Sequence, residues 1–439
     1  MDDVTSEKTE IEVTEDQLDD ERLARLKARM AERTGGEPPA IVEEKIRSIE
    51  FGVIGSGQAG SRLAECFHKL GYASIAVNTA SQDLEHIDMP EANKLLLEFG
   101  LGGAAKELEI GAAAAEAHRD KINELVRTKL GDCQLLLFCT SLGGGSGAGS
   151  AEVIVDILAQ LDRPVAVITV LPQSTDDPQT KDNAYNTLSR FTKMAQARKI
   201  DNMIVVDNAK IEAIYSDVGQ FNFFPVSNKA IVEPIDQFNK LSCQPSAVKA
   251  LDPTEFGKIF TDGQGLTTYG MMTVSNYEEE TAIAEAVIDD LGKSLLASGF
   301  DLKKARYVGA IFVANKQVWE KIPSSSVNYA MSMINDVCGN PLGVYRGIYT
   351  TDDDVDGVKV YSMFSGLGLP MDRLEQLKVE AKERMKKAGE KDEERVAALK
   401  MDAPEENVSA AEAIKKRIQA KRSSFGKLHN RAVVDRRKR

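Results

Sequence analysis

Two clusters of glycine have the spacing to hold a polyphosphate. The first, Gly55-Ser56-Gly57-Gln58-Ala59-Gly60, follows a short apolar run at 49–54 and precedes a helical pattern. Glycines let a backbone turn tightly and come close to a phosphate, while a helix N-terminus presents free N–H groups and a partial positive charge. A dinucleotide-binding oxidoreductase would show the same GxGxxG letters, and so would a purely structural turn. The second cluster, Gly143-Gly144-Gly145-Ser146-Gly147-Ala148-Gly149, sits between the apolar run 134–139 and a helical stretch from Ser150. Five glycines in seven positions ahead of a helix make an anion nest, to which Ser146 adds a hydroxyl donor. A flexible linker would not join a buried strand to an apolar helix. No GxxxxGK[ST] motif lies near either cluster, which sets aside the ordinary P-loop class.

A third constellation is acidic. Leu251-Asp252-Pro253-Thr254-Glu255-Phe256 places two carboxylates three residues apart. They either polarise a water for attack on a phosphate or serve as a helix cap, with Asp252 at the N-cap and Glu255 at the capping-box position. Asn228 is similarly double: an amide can read a base edge, or cap a helix together with Ser227. The four histidines, His68, His86, His118 and His429, stand beside no nucleophile motif, so a Ser/His or Cys/His hydrolase is poorly supported. Five scattered cysteines without CxxC or metal-ligand spacing read as buried free thiols in a reducing compartment, and no metal site is assigned.

The elements that must position these residues follow from periodicity. Short apolar runs at 49–54, 74–77, 95–99, 134–139, 165–170 and 203–206 alternate with helical stretches at 61–70, 112–130 and 151–161. That pattern describes an α/β fold with a doubly wound, mostly parallel sheet, whose ligands belong at the carboxyl ends of the strands. A helix over 228–241 is interrupted by Pro234, which should kink it or open its first turns. Runs at 267–275, 307–314, 343–350 and 358–364, with helices at 278–298 and 325–338, read as a smaller α+β domain. A charged helix from Asp372 to about Lys400 carries Leu374, Leu377, Val379 and Met385 on one side, its charges forming a solvated face. The resulting division is an acidic and helical extension (1–46), a nucleotide-binding domain (47–225), a central helix (226–250), a second domain (251–369), a C-terminal helical region (370–419) and a basic, disordered tail (420–439).

The net charge of −13 argues against the whole body binding nucleic acid, but the tail from Lys421 to Arg439 is locally basic. It fits either attraction to DNA or an acidic adaptor, or simple solubility. No run approaches the roughly 20 apolar residues a membrane helix needs, and the N-terminus is acidic where a signal peptide is basic, so a cytoplasmic protein is expected.

The two glycine loops resemble those of the tubulin/FtsZ superfamily: Gly57-Gln58-Ala59-Gly60 is similar to the first phosphate loop, and 143–149 to the signature GGGTGSG, with Ser146 and Ala148 as substitutions. The resemblance spans about 46–377 and implies a GTPase using GTP/GDP with Mg2+, built as a GTPase domain, a central helix and an activation domain. It implies nucleotide contacts from Gly55, Ser56, Gly57, Gln58 and Ala59 and from Gly143, Gly144, Gly145, Ser146 and Gly147. Asn78 and Thr79 fall at a strand end near the phosphates, and Gly102, Gly103 and Ala104 in the loop that senses the γ-phosphate. Pro172 and Asp177 belong to the ribose loop, Asn208 is grouped with the nucleotide contacts, and Asn228 takes the guanine-reading place. The stretch 251–256 resembles the synergy loop, whose acids, here Asp252 and Glu255, enter the pocket of the next subunit in a head-to-tail filament. Glu255 stands where the family commonly has Asp, a longer arm that bears on rate.

In layout the chain is more similar to plasmid- and phage-encoded TubZ partition proteins than to FtsZ. It has an N-terminal extension, Asp252-Pro253 opening the synergy loop, Phe364-Ser365-Gly366-Leu367 before a long terminal helix, and a basic tail. That likeness implies filaments that move plasmid or phage DNA through an adaptor held by the tail. The alternatives are a division-ring GTPase of FtsZ type, a phage spindle tubulin and, from the first glycine cluster alone, a Rossmann oxidoreductase, which leaves 143–149 unexplained.

Overall fold

The structure, a computed structural model, describes residues 46–100, 102–353 and 356–398. The expected acidic arm, the tail at 420–439 and Leu101 lie outside the described residues. In the first half, strands alternate with helices: β1 (Phe51–Ser56), α1 (Gly57–Lys69), β2 (Ala73–Asn78), α2 (Ser81–Glu85), β3 (Lys94–Leu96), α3 (Leu108–Ala117), α4 (Arg119–Leu130), β4 (Leu135–Ser141), α5 (Gly145–Ala159), β5 (Val165–Leu171), α6 (Pro178–Gln196), β6 (Asn202–Asp207) and α7 (Asn208–Ile214). The central α8 (Gln220–Leu241) and α9 (Pro253–Phe260) follow. The second half comprises β7 (Leu266–Val274), α10 (Ala282–Ser294), β8 (Tyr307–Asn315), α11 (Lys316–Trp319), α12 (Ser326–Val337), β9 (Gly343–Thr351), β10 (Val358–Leu367) and α13 (Met371–Ala398).

All ten strands belong to one sheet, in the order β3-β2-β1-β4-β5-β6-β7-β10-β8-β9. The sheet therefore does not stop at the expected domain boundary. Its seam is narrow, because β6 and β7 pair in parallel only through Met203 with Leu266 and Ile204 with Thr267. Beyond it, β10 lies antiparallel to both β7 and β8, while β9 runs parallel to β8. Helices cover both faces, so strand residues alternate between two cores: Leu136 and Phe138 of β4 join one, Leu135, Leu137 and Cys139 the other. All five cysteines are free, and burial pushes the Cys66 thiol up to about 11.

Several element boundaries differ from the sequence expectation for identifiable reasons. Helix α1 begins at Gly57 and α5 at Gly145, so parts of both glycine clusters form the first turns of helices and not loops. The helix expected over 112–130 is two, broken at His118. Strand β3 is only three residues, shorter than 95–99. Helix α8 starts eight residues before Asn228 and runs through Pro234, and the Tyr269 hydroxyl donates to the Ile231 carbonyl (2.7 Å) beside the position where the proline removes a donor. On α13, Val379 is 49% exposed, and the buried stripe is Arg373, Leu374, Leu377 and Ala381. Met385 lies outside the described side chains.

An aromatic chain fixes α9 and the central helix to the sheet. Phe238 of α8 meets Phe256 (6.1 Å between centroids), Phe256 meets Phe260 (5.5 Å), and Phe260 stacks on Phe51 of β1 (5.2 Å). Truncating the fully buried Phe260 to Ala should cost about 3–5 kcal/mol in chemical unfolding. Phe221→Ala, at a ring 98% exposed, should stay within about 0.5 kcal/mol. Equal costs for the two would contradict this packing.

Candidate functional site

Strands β1 and β4 are hydrogen-bonded neighbours running the same way, so the turns that leave them emerge side by side. The first turns of α1 and α5 consequently meet. Gly57 takes φ +72°, and a Cβ built there would lie 2.8 Å from the Gly147 nitrogen. Conversely, a Cβ on Gly147 would lie 2.5 Å from Thr140 Oγ1 and 2.7 Å from the Ser56 carbonyl oxygen. Two backbones touch here with no room for a side chain.

Neither helix has a side-chain cap. At the N-cap of α1 the Ser56 hydroxyl is turned away to meet that of Ser150 at 2.7 Å, and the N-cap of α5 is Gly144, which has no side chain. Their first-turn N–H groups are thus free of side-chain acceptors, and two positive dipole ends lie together without an acid in either first turn. An anion is what such a place binds.

The remaining glycines act differently from one another. Cβ atoms on Gly143, Gly145 and Gly149 would collide with Thr180, with Ala104 and Glu107, and with Leu108 and Gly111, so these positions are small because other segments cross them. Gly102 and Gly103 both take positive φ and face open space. Their loop is tied in by Gly103 N–H donating to the Thr79 carbonyl (2.9 Å), and the Thr79 hydroxyl meets that of Ser146 at 2.5 Å. Thr79, Gly102 and Gly103 line a cavity of about 310 Å³.

The 172–177 loop closes the ring of segments. Asp177 caps α6, accepting from Thr180 N–H at 3.0 Å and from the Thr180 hydroxyl at 2.9 Å, and pairs with Lys106. Burial pushes its carboxyl up, but Lys106 and the Thr180 donors outweigh this and hold it near about 2. Pro172 is buried. At the other side, Gln58, Ala59, Asn208 and Asn228 share one small pocket.

Most residues singled out in the sequence therefore lie together: both glycine clusters, Thr79, the 102–104 loop and Asp177, with Asn208 and Asn228 beside Gln58 and Ala59. Asn228 sits mid-helix, not at a helix start, so capping is not its role. Asn78 is buried and its amide is spent locally, donating to Asp83 (3.0 Å) and accepting from Ala80 N–H (3.3 Å). Asp252 and Glu255 do not join this site. They form a reciprocal capping box on α9, Glu255 N–H to Asp252 Oδ1 at 2.8 Å and Asp252 N–H to Glu255 Oε2 at 3.0 Å. Their loop hangs below the far end of α8: Ser242, just past that helix, meets Ser48, which precedes β1. From Asn228 to Ser242 is fourteen helical steps, roughly 21 Å.

Three residues around the site escaped the sequence reading. Arg62 and Phe224 line the pocket with Asn228, the Arg62 guanidinium 5.4 Å from the Phe224 ring centroid. Phe224 stands one helical turn before Asn228 and Arg62 one turn after Gln58, a spacing that would have found both. Lys106 is the lone cation of the loop after Gly103. A cradle for anionic groups with an adjoining pocket of amides, a guanidinium and an aromatic ring has the make-up of a nucleotide site.

Comparison with known proteins agrees. The model of the Tubulin/FtsZ family, GTPase domain, matches residues 50–216. The tubulin-like protein TubZ of Bacillus cereus is 25% identical over 353 residues, 74% of this chain and 80% of that protein. The tubulin-like protein CetZ of Pyrococcus abyssi is 24% identical over 326 residues, 72% and 85% of the two chains. Among solved structures, a GTPγS-form protofilament of Bacillus thuringiensis serovar israelensis TubZ superposes with a TM-score of 0.71 at 20% identity, covering 80% of this chain and 95% of that one. Residues 50–216 thus carry the GTPase domain of the Tubulin/FtsZ family, and the sheet order and the two facing glycine turns agree with that match.

Proposed function

We propose that this protein is a GTPase that assembles head to tail, each subunit's Asp252 and Glu255 completing the nucleotide site of its neighbour. The observation that carries this reading is the separation of the acids from the glycine cradle by the length of the central helix. A subunit cannot bring its own acids to its own pocket, whereas stacking in one direction brings them to the next. The triphosphate would lie across the first turns of α1 and α5, the γ-phosphate toward Thr79, Gly102 and Gly103. The ribose would face Pro172 and Asp177, and the base Asn208 and Asn228, with Phe224 against its face. Mg2+, which commonly binds through substrate phosphates and water, would neutralise phosphate charge at this cradle.

Each acid gives one oxygen to the capping box and keeps the other, Asp252 Oδ2 and Glu255 Oε1, for a water. A carboxylate that holds and polarises the attacking water is what hydrolysis of a γ-phosphate asks of the protein. Of the possible roles for such a filament, movement of plasmid or phage DNA is preferred. One relative in the solved structures is described as a TubZ of type III plasmid segregation, and the basic residues from Lys421 on suit a DNA-bound adaptor. No helix among the described residues is long and apolar enough to cross a membrane, and a cytoplasmic place fits this role.

Asparagine caps helices as well as aspartate, so Asp252→Asn keeps the cap and removes the charge. Turnover of GTP by this variant should fall about a hundredfold or more, with GTP affinity within twofold and filaments persisting under the electron microscope. Hydrolysis at the parental rate would remove Asp252 from catalysis. For the unmodified protein, turnover per molecule should rise steeply with concentration; a rate independent of dilution contradicts a site shared between subunits.

Gly147→Ala tests the cradle. Its methyl must displace Thr140 or the Ser56 carbonyl, separating the two helix starts, and GTP affinity should drop about tenfold or more in a fluorescent-nucleotide titration. Unchanged affinity would mean that the phosphates lie elsewhere.

A further inference from the structure

Helix α13 places one buried charge, Arg373, and one partly exposed charge, Glu380, on the face it lays on the GTPase domain. Arg373 Nε donates to Asp207 Oδ2 at 2.6 Å and Nη2 to Oδ1 at 3.3 Å, the two side chains 7% and 3% exposed. Two turns on, Glu380 Oε2 accepts from Lys181 Nζ at 2.6 Å, while Glu380 Oε1 lies 3.8 Å from Arg373 Nη1. The Lys181 side chain is fully buried, and its Nζ also donates to the Ser174 carbonyl at 2.7 Å. Asp207, Arg373, Glu380, Lys181 and Ser174 thus form one continuous polar chain.

Both ends of that chain adjoin segments that the proposed function places around the nucleoside. Asp207 caps α7, accepting from Ala209 N–H at 3.1 Å, and the first residue of α7 is Asn208, which lines the base pocket. Ser174 belongs to the 172–177 turn that ends in Asp177. Neither Arg373 nor Glu380 lines the pocket itself. Docking of α13 does not need these charges, because Leu374 and Leu377 are buried on the same face and belong to the core shared with Leu188 of α6. Buried ion pairs also stabilise a fold poorly compared with apolar residues of the same size. Their geometry points to a different use.

We propose that Arg373, Glu380 and Lys181 are positioning residues for nucleotide recognition, holding the base wall and the ribose turn in register from behind. The C-terminal helix is then part of the nucleotide site: whatever pulls on α13 loosens the grip on the nucleoside while leaving the phosphate cradle, built by α1 and α5, untouched. This rests on the reading of the pocket as a GTP site, with the nucleoside between Asn208 and the 172–177 turn.

The test compares two ligands on the full chain kept too dilute to assemble. GTP engages both the cradle and the nucleoside walls; inorganic tripolyphosphate engages the cradle alone. Glu380→Gln, at a partly exposed position, should weaken GTP about fivefold and Lys181→Met about tenfold, each leaving competition by tripolyphosphate within twofold. Lys181→Arg should recover most of the loss. Equal weakening of both ligands would reduce the chain to general stability and overturn the proposal, as would no change in either. A parental protein that binds tripolyphosphate but not GTP would instead overturn the assignment of the pocket. Should Lys181→Met fail to fold, Glu380→Gln alone decides.

Discussion

The close approach of two positively polarised helix starts is the constraint on which the rest of the structure depends. Parallel pairing of β1 with β4 delivers α1 and α5 to the same place, and Gly57 against Gly147 lets them touch. In an isolated protein this arrangement is electrostatically unfavourable, since each helix start carries about half a positive charge and neither has an acidic neighbour in its first turn. Diverting the Ser56 hydroxyl to Ser150 removes the local remedy of an N-cap. Lack of a side-chain cap is common in this fold, at the starts of α2, α3, α4, α8, α10 and α12 as well; what distinguishes α1 and α5 is that their uncapped, acid-free starts meet each other at the glycine cradle.

Around that point the central helix serves as a strut joined to both halves. Its lower end is fastened to the entry of β1, Asn239 exchanging two hydrogen bonds with the backbone of Ile49 (both 2.8 Å) and Asp236 accepting from Tyr72 at 3.0 Å. Its middle is held by the second half, through the Tyr269 and Tyr361 hydroxyls on Ile231 and Glu233. Since β6 and β7 share only two residue pairs, α8 and the aromatic chain through Phe256 carry much of the mechanical link between halves. Asn228 in the middle of α8 and the acid loop beyond its C-terminal end are therefore carried by one continuous helix.

How much of this was legible in the sequence depended on whether a residue's surroundings are local. The strands of the parallel half were readable because burial on both faces leaves unbroken apolar runs. The glycine clusters were readable as an anion site, yet their division of labour was not. That Gly143 and Gly149 are small to admit Thr180 and Gly111, while Gly102 opens to solvent, is decided by segments far away in the chain. Treating glycine as loop also placed the starts of α1 and α5 too late. The sequence puts Asn228 at a helix start, whereas the helix begins at Gln220 and continues through both Pro225 and Pro234, held by hydrogen bonds to both halves. Most opaque were Arg373 and Glu380: within a run of charges nothing marks the two that face inward, since their partners Asp207 and Lys181 are some 170 to 200 residues away.

On the proposed reading, the capping box on α9 would let one charged pair serve both as a local structural device and as a reagent. A cap fixes the carboxylates of Asp252 and Glu255 relative to a helix that is itself pinned by Phe256 and Phe260, so the free oxygens are held without help from a second subunit. Catalytic groups are most effective when their orientation is settled before the substrate arrives. The two interpretations that the sequence left open at 252–255 are thus complementary: the hydrogen bonds that terminate the helix are those that would orient the acids. In the proposed filament, a neighbouring subunit would then add only a rigid-body approach that brings the capped acid pair to the glycine cradle.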